Sequence, residues 1–390
     1  MPDPLMFVRP RRIRRGAALT LVFGCALVTG AATGSWDDET TNSEAVAARS
    51  QAAPAARSEV MAAAARAMAD GKSGSEAARE AVSRSGDRWA AVYTSREYEG
   101  LRRALDGEYV GVGMDVRGAP GGDIEVAGVR PGSPAAKAGV APGDRLRSID
   151  GRGIRGRPVT EVVSRLRGGD RAAKAGSPVQ VGIERAGSVR EQTLHRTRLE
   201  IETVSVEREA RSAVTSIKVG SFAKGTGRQV LKAVQTAPDG DRFLLDLRGN
   251  SGGLVGEAVT AASAFLDGGV VATYDVHGEQ RTLRADRGRA TKAPLVVLVD
   301  GGTMSAAELL AGALQDRGRA VLVGSRTFGK GSVQMPSELP DGSVAELTVG
   351  HYRTPSGRSV DGEGITPDLN TDEGVEQRAR RVLGGLGPGE

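Results

Sequence analysis

At 390 residues the chain exceeds one ordinary domain, so two or three folding units are expected. Its net charge of +5 is mild and aromatic residues make up only 3%, which argues against a surface that stacks nucleic-acid bases. The single cysteine, Cys25, excludes an internal disulfide framework and a thiolate metal site, and no paired-histidine motif points to a catalytic metal.

Arg9, Arg11, Arg12, Arg14 and Arg15 precede an apolar run over residues 17–32 that ends in small side chains. That order is the pattern of a secretory signal. The run is shorter than the ~20 apolar residues that span a bilayer, so residues 1–35 are read first as a cleaved signal and alternatively as a membrane anchor. The rest of the chain is then exported, either secreted or held at the outer face of the plasma membrane, with membrane contact confined to this segment. Cys25 lies inside the apolar run with Phe23 before it, a poor context for lipidation. Residues 36–107 form a polar, alanine-rich linker and a small helical region. Helices are predicted over 58–68, 74–82 and 97–105, the last with Tyr98, Leu101 and Leu105 at helical spacing.

From Tyr109 the texture changes to short strands broken by glycine. Gly111 and Gly113 permit backbone conformations that gather successive N–H groups into one concavity, a nest suited to a terminal carboxylate. An adjacent strand edge would pair with the peptide that carries that carboxylate. The plain structural reading is a strand with glycines at a bulge. Further on come a strand at 124–129, the turn Arg130-Pro131-Gly132-Ser133-Pro134, a hairpin over 143–151, a helix at 160–166 and a strand at 179–184. This order, over residues 108–190, resembles a bacterial PDZ domain, although the loop at 168–177 is longer than usual. The resemblance implies that Val110, Gly111, Val112, Gly113 and Met114 bind the peptide.

After a charged connection at 191–211 the pattern becomes α/β. Strands are predicted at 214–219, 243–247, 295–299, 320–323 and 345–349, and helices at 227–236, 256–265 and 305–314. Two strand ends carry the chemistry. Ser305 stands where an apolar strand gives way to a helix, and Lys330 lies between Gly329 and Gly331 after the next strand, with Gln334 four residues on. A serine and a lysine delivered by adjacent strand ends are the parts of a Ser-Lys hydrolase. The structural alternatives are ordinary ones. Ser305 and Glu308 form a capping box, and a lone lysine is usually a solvated side chain.

The motifs settle the comparison. Asp246-Leu247-Arg248-Gly249-Asn250-Ser251-Gly252-Gly253, the Ser305 and Lys330 segments, residues 352–358 and residues 364–368 all resemble signatures of the carboxyl-terminal processing peptidases, also called tail-specific proteases. The resemblance covers residues 87–370, and Lys330 follows Ser305 by the family's spacing of 25 residues (330 − 305). It implies a crotonase-like (ClpP/crotonase) α/β core with a cap over residues 191–375, a tail at 376–390, and the PDZ-like β-rich domain beside the helical N-terminal region. Also implied are Ser305 as nucleophile and oxyanion donors from Ala306 N–H and the Gly252-Gly253 backbone. Lys330 must then be neutral, well below an ordinary lysine range of about 10.4, which burial can achieve. Gln334 would orient the amine without adding charge. No cofactor is expected, and the partners are loose protein C-termini; oligomeric state is left open.

Other readings remain. Residues 324–331 imitate a nucleotide-binding loop, but Gly331 stands where Ser or Thr must hold Mg²⁺. Gly249-Asn250-Ser251-Gly252-Gly253 satisfies a nucleophile-elbow pattern, with proline the family's usual residue at 251. It would need His195, His277 or His351 as base. A non-catalytic PDZ scaffold or chaperone, and acyl transfer on a CoA thioester, complete the alternatives.

Overall fold

Continuous apolar runs form the centre of the molecule, whose computed structural model describes residues 53–168, 174–209, 211–276 and 279–386. The signal or anchor segment, Cys25, His277 and most of the 36–57 linker lie outside these residues. Among the described residues no helix is long and apolar enough to cross a membrane. Leu295–Val299 is buried at every position. A parallel strand covered on both faces needs apolar side chains on both, so alternation disappears.

That strand belongs to a six-stranded sheet in the order Val204–Glu209, Val214–Val219, Arg242–Asp246, Leu295–Val299, Val321–Gly324, Leu369–Asn370. The first pair is antiparallel and the rest are parallel. Phe243, Leu245 and Val297 point to one face, where helices Thr226–Thr236, Val255–Ala262 and Ala306–Asp316 pack. Leu244, Val296 and Val323 point to the other, against Ala379 and Leu383 of helix Val375–Gly385. The expected tail at 376–390 is therefore corrected. Val375, Ala379, Val382, Leu383 and Leu386 recur at helical spacing and supply an apolar stripe.

A second sheet joins Ala91–Tyr93, Val344–Arg353, Val270–Val276 and Glu279–Arg284, with Ser332–Glu338 also paired to Val344–Arg353. Helices Ala53–Ala69 and Gly74–Ser85 pack on it through Val60, Ala64, Ala78, Ala81 and Val82, which meet Ala345 and Leu347. The helical N-terminal region is thus built into the same sheet that carries Gln334. Helix Ser95–Leu105 follows, closed at its start by a Thr94–Glu97 capping box.

The third sheet comprises Met114–Gly118, Ile124–Val129, Arg145–Ile149, Pro178–Arg185 and Ser188–His195, with Arg152–Gly153 added to its middle strand. It has its own core of Val126, Leu146, Ile149, Ile154, Val162, Val181 and Ile183. The chain enters and leaves through a two-stranded ribbon, Glu108–Gly111 paired with Thr197–Glu200. The charged connection expected at 191–211 is corrected to three strand segments, Ser188–His195, Thr197–Glu200 and Val204–Glu209. Ladder hydrogen bonds hold these strands, and burial contributes little.

Candidate active site

Three loops leave the carboxyl ends of the neighbouring parallel strands Arg242–Asp246, Leu295–Val299 and Val321–Gly324. In open parallel sheets that edge is where helix N-termini and loop backbones converge. Asp246 anchors the first loop, accepting from Arg248 Nε at 2.8 Å and Nη2 at 2.7 Å and from Lys218 at 3.3 Å. Burial opposes ionisation of Asp246, but the Arg248 and Lys218 charges outweigh it and hold its carboxyl below the usual range. Asn250 is fully buried, donates to the Val219 carbonyl at 3.0 Å and accepts from Gly252 N–H at 2.9 Å. Asp300 then ties the loops together, taking Gly249 N–H at 2.8 Å and Gly302 N–H at 2.9 Å.

Ser305 sits at the head of helix Ala306–Asp316 with φ +52° and ψ −117°. A non-glycine residue in that region carries strain of ~1–3 kcal/mol and persists only where its surroundings enforce it. Here the enforcer is Glu308, which is fully buried. One of its oxygens accepts Ser305 N–H at 2.9 Å and Lys330 N–H at 2.8 Å. The other accepts the Thr327 hydroxyl at 2.5 Å and Gly329 N–H at 2.7 Å. Burial pushes the Glu308 carboxyl up, against these four donors. Tyr352, from the second sheet, completes the arrangement. Its hydroxyl lies 2.9 Å from the Ser305 carbonyl oxygen and 3.1 Å from that of Lys330. The capping box at 305–308 is therefore one part of a larger clamp on two separate chain positions.

Burial pushes the Lys330 amine down, while the carboxylates of Glu346 and Asp87 favour its ammonium form. Gln334 donates its side-chain N–H to the Trp89 carbonyl. Among the described residues no hydrogen bond joins Ser305 Oγ, Lys330 Nζ and the Gln334 amide to one another. The Gly252-Gly253 backbone lies against the serine, since a β-carbon built on Gly252 would stand 3.0 Å from Ser305 Cβ and 3.2 Å from Ala306 N. The glycine pair is not equivalent. Gly252 N–H is already held by Asn250, which corrects the expectation that it serves as an oxyanion donor. Phe222 N–H bonds the Gly252 carbonyl and Leu254 N–H bonds the Phe222 carbonyl, so Gly253 N–H is turned away from that neighbour. Ala306 N–H is the first of its helix and has no intrahelical acceptor.

Ser251 is brought to neither described histidine. His195 bonds the Gly176 carbonyl at 3.2 Å in the third sheet, and His351 stands 3.7 Å from Asp361. Ahead of the third sheet, Val110 and Gly111 are committed to the entry ribbon, so the turn itself is Val112 and Gly113. The Val112 carbonyl accepts from Ala135 N–H and the Gly113 carbonyl from Arg130 N–H, each at 2.9 Å. In a trans peptide the next N–H points the opposite way, so those of Gly113 and Met114 are directed outward. Met114–Gly118 pairs with Ile124–Val129 on one side only, and helix Val159–Arg167 flanks it. That is an open strand edge beside two outward-directed donors.

A family model described as peptidase family S41 matches residues 213–371, and one described as a PDZ domain matches residues 125–175. The carboxyl-terminal-processing protease of Picosynechococcus sp. is 36% identical over 301 residues, covering 75% of this chain and 72% of that relative. This chain belongs to peptidase family S41. The carboxy-terminal processing protease CtpA of Bacillus subtilis (strain 168) is 31% identical over 291 residues, 73% of this chain and 61% of the relative. The chain thus spans about three fifths of that relative's length. Among solved structures, the photosystem II D1 C-terminal processing protease is 30% identical, with 80% and 86% of the two chains covered and a TM-score of 0.49. An S41 protease structure from Bacteroides fragilis, 18% identical over 77% of this chain and 87% of its own, has a TM-score of 0.50 and speaks to fold alone. Members of S41 named in this way are serine-type endopeptidases with a mixed α/β core.

Sequence reasoning singled out Ser305, Lys330 and Gln334, placed Tyr352 in a family signature without a role, passed over Asp300 and Trp89, and saw Glu308 only as a cap. One signal for Glu308 was legible: a lone glutamate inside the apolar helix Ala306–Asp316 must be buried with partners.

Proposed function

We propose that this S41 protein is an exported serine endopeptidase that cleaves proteins near loose C-terminal tails. The observation that carries the reading is the shared clamp: Glu308 takes the N–H groups, and Tyr352 faces the carbonyls, of both Ser305 and Lys330. Two residues 25 positions apart are held by the same pair of side chains, which a capping serine and a solvated lysine do not require.

In the proposed mechanism, neutral Lys330 takes the proton of Ser305 Oγ as the hydroxyl attacks the scissile carbonyl. Ala306 and Gly253 N–H groups receive the developing oxyanion, where the helix N-terminus also favours negative charge. The resulting ammonium protonates the leaving amine, and water then hydrolyses the acyl-enzyme by the same route. Gln334 orients the lysine amine. A hydrogen bond from Ser305 Oγ to Lys330 Nζ is expected to form when substrate closes the site, a tightening common to apo enzymes.

Recognition is assigned to the PDZ domain, with Gly113 and Met114 N–H groups on the tail carboxylate and the Met114–Gly118 edge on its backbone. The core is read as crotonase-like, with the sheet that carries Gln334 as its cap; the parallel sheet covered by helices on both faces supports this. Export rests on residues 9–32, outside the described residues.

The test is cleavage of an unstructured protein. Ser305→Ala and Lys330→Ala should each abolish it, and Ser251→Ala should leave most of it. Loss confined to the Ser251 variant would sink the Ser-Lys assignment.

A further inference from the structure

Trp89 lies far outside the 213–371 stretch that matches the S41 model, yet it reaches the catalytic lysine. Strand Ala91–Tyr93 pairs antiparallel with Val344–Arg353 and brings the preceding residues to the site. Asp87 fixes that segment: its carboxylate accepts Thr348 N–H and hydroxyl, each at 2.9 Å, and Trp89 N–H at 3.1 Å. The indole N–H donates to Asp361 at 2.9 Å, and the ring packs 5.6 Å from the centroid of Phe328. Lys330 Nζ stands 5.7 Å from the indole centroid. The Trp89 carbonyl accepts the Gln334 side-chain N–H.

We propose that Trp89 is a positioning residue for Lys330 and Gln334, its carbonyl setting the direction of the Gln334 amide and its indole walling the lysine amine from water. This rests on the peptidase reading of the site. A carbonyl only accepts, so Gln334 must present nitrogen to Trp89, and its amide oxygen is left as the acceptor for a lysine N–H.

The indole acts on Lys330 in two opposed ways. Its face attracts an ammonium, but 5.7 Å is near the ~6 Å limit of that interaction, which is worth less than about one pH unit there. Excluding water disfavours the ammonium and can shift a lysine by several units. Desolvation wins, so removing the ring should make Lys330 easier to protonate. Other charges face the pair. Glu346 projects from Val344–Arg353, Asp87 and Arg88 come from the Trp89 segment, Asp361 lies at the indole N–H with His351 3.7 Å beyond it, and Glu308 sits at the Lys330 N–H.

The chain has two tryptophans, Trp36 and Trp89, so a full-length Trp36→Phe protein reports Trp89 fluorescence alone. Its emission should show a pH step that coincides with the acidic limb of kcat/KM for an unstructured protein. The step should vanish in Lys330→Met and persist in His351→Gln. Trp89→Ala should move the acidic limb up by about one pH unit or more, while Trp89→Phe, which keeps an aromatic wall, leaves it in place. Absence of the step, its survival in Lys330→Met, or an unmoved limb in folded Trp89→Ala would each overturn the proposal. The fluorescence arm needs no turnover and no Trp89 variant. A lysine-dependent step without cleavage would therefore sink the peptidase reading and leave the Trp89 contact standing.

Discussion

Replacing Gly252 with alanine tests the proposed oxyanion geometry directly, because the load it imposes is visible in the structure. Gly252 has φ +96°, and a β-carbon there would lie 2.9 Å from the Met304 carbonyl oxygen and 3.0 Å from Ser305 Cβ. Two costs follow: a strained backbone of ~1–3 kcal/mol and overpacking against main chain of ~1–3 kcal/mol. Gly318 separates them. Its φ is +61° and nothing lies within 4 Å of a built β-carbon, so Gly318→Ala carries the backbone cost alone. Thermal or denaturant unfolding should show Gly252→Ala less stable than Gly318→Ala by ~1–3 kcal/mol. Turnover should separate them further. The overlap pushes on Ser305 and Ala306, and loss of one aligned oxyanion donor costs about 10²–10³ in kcat. Gly318→Ala should cleave an unstructured protein at close to the wild-type rate, and Gly252→Ala about a hundredfold more slowly with little change in tail binding. Wild-type turnover in a folded Gly252→Ala protein would refute the placement of the oxyanion beside this glycine pair.

Glu308→Gln should destabilise the protein by ~2–4 kcal/mol and suppress turnover, because either amide orientation turns an NH₂ group onto two of the four donors; unfolding and cleavage assays read both effects. Lys330→Met should raise stability at neutral pH. The folded-state amine is held low by burial, so between the folded and unfolded values the unfolded chain binds the extra proton and stability falls with falling pH. Unfolding measured at neutral pH and above the unfolded lysine range should show the gain shrinking at the higher pH; a constant gain would mean that packing alone causes it. Amidating the C-terminus of a tail peptide should weaken its binding by roughly 10–100-fold, since the Gly113 and Met114 donors lose a charged acceptor. Equal affinity for acid and amide peptides would mean that this turn does not read chain ends.

The parts of the fold that were legible in the sequence are those whose burial is written as apolar pattern. Leu295–Val299 and helix Thr226–Thr236 bury enough side chains to announce themselves, and the glycine-bearing loops between strands carry the motifs. Elements held by pairing were silent. Glu279–Arg284 is exposed at most positions, and Val204–Glu209 is exposed at all but the first. Charged residues suit such strands, so the pattern reads as a connection. The strand Ala91–Tyr93 is three residues long and gives periodicity nothing to measure. The same limit applies at the site. Ser305, Lys330 and Gln334 lie on recognisable local segments, whereas the contacts of Tyr352, whose own segment was recognisable, and of Trp89 are ones that only the second sheet creates.

That division has a chemical reason. A histidine base can be fixed through its second ring nitrogen while the first does the chemistry. A lysine has one polar atom, at the end of a flexible stem that carries about 2 kcal/mol of rotamer entropy, and the reaction needs that atom neutral. An acidic partner on the amine would hold it still but keep it charged. Control must therefore act elsewhere. Here it acts on the main chain at both ends of the proposed dyad, with Glu308 on the N–H groups and Tyr352 facing the carbonyls. Facing the amine is an uncharged indole, 5.7 Å to its centroid, and the Gln334 nitrogen is bonded to the Trp89 carbonyl. Glu346 and Asp87 pull against this arrangement by favouring the ammonium, and burial outweighs them. A Ser-Lys site built this way would draw its order from separate stretches of chain, which is why the proposed nucleophile and base can be read locally and their support cannot.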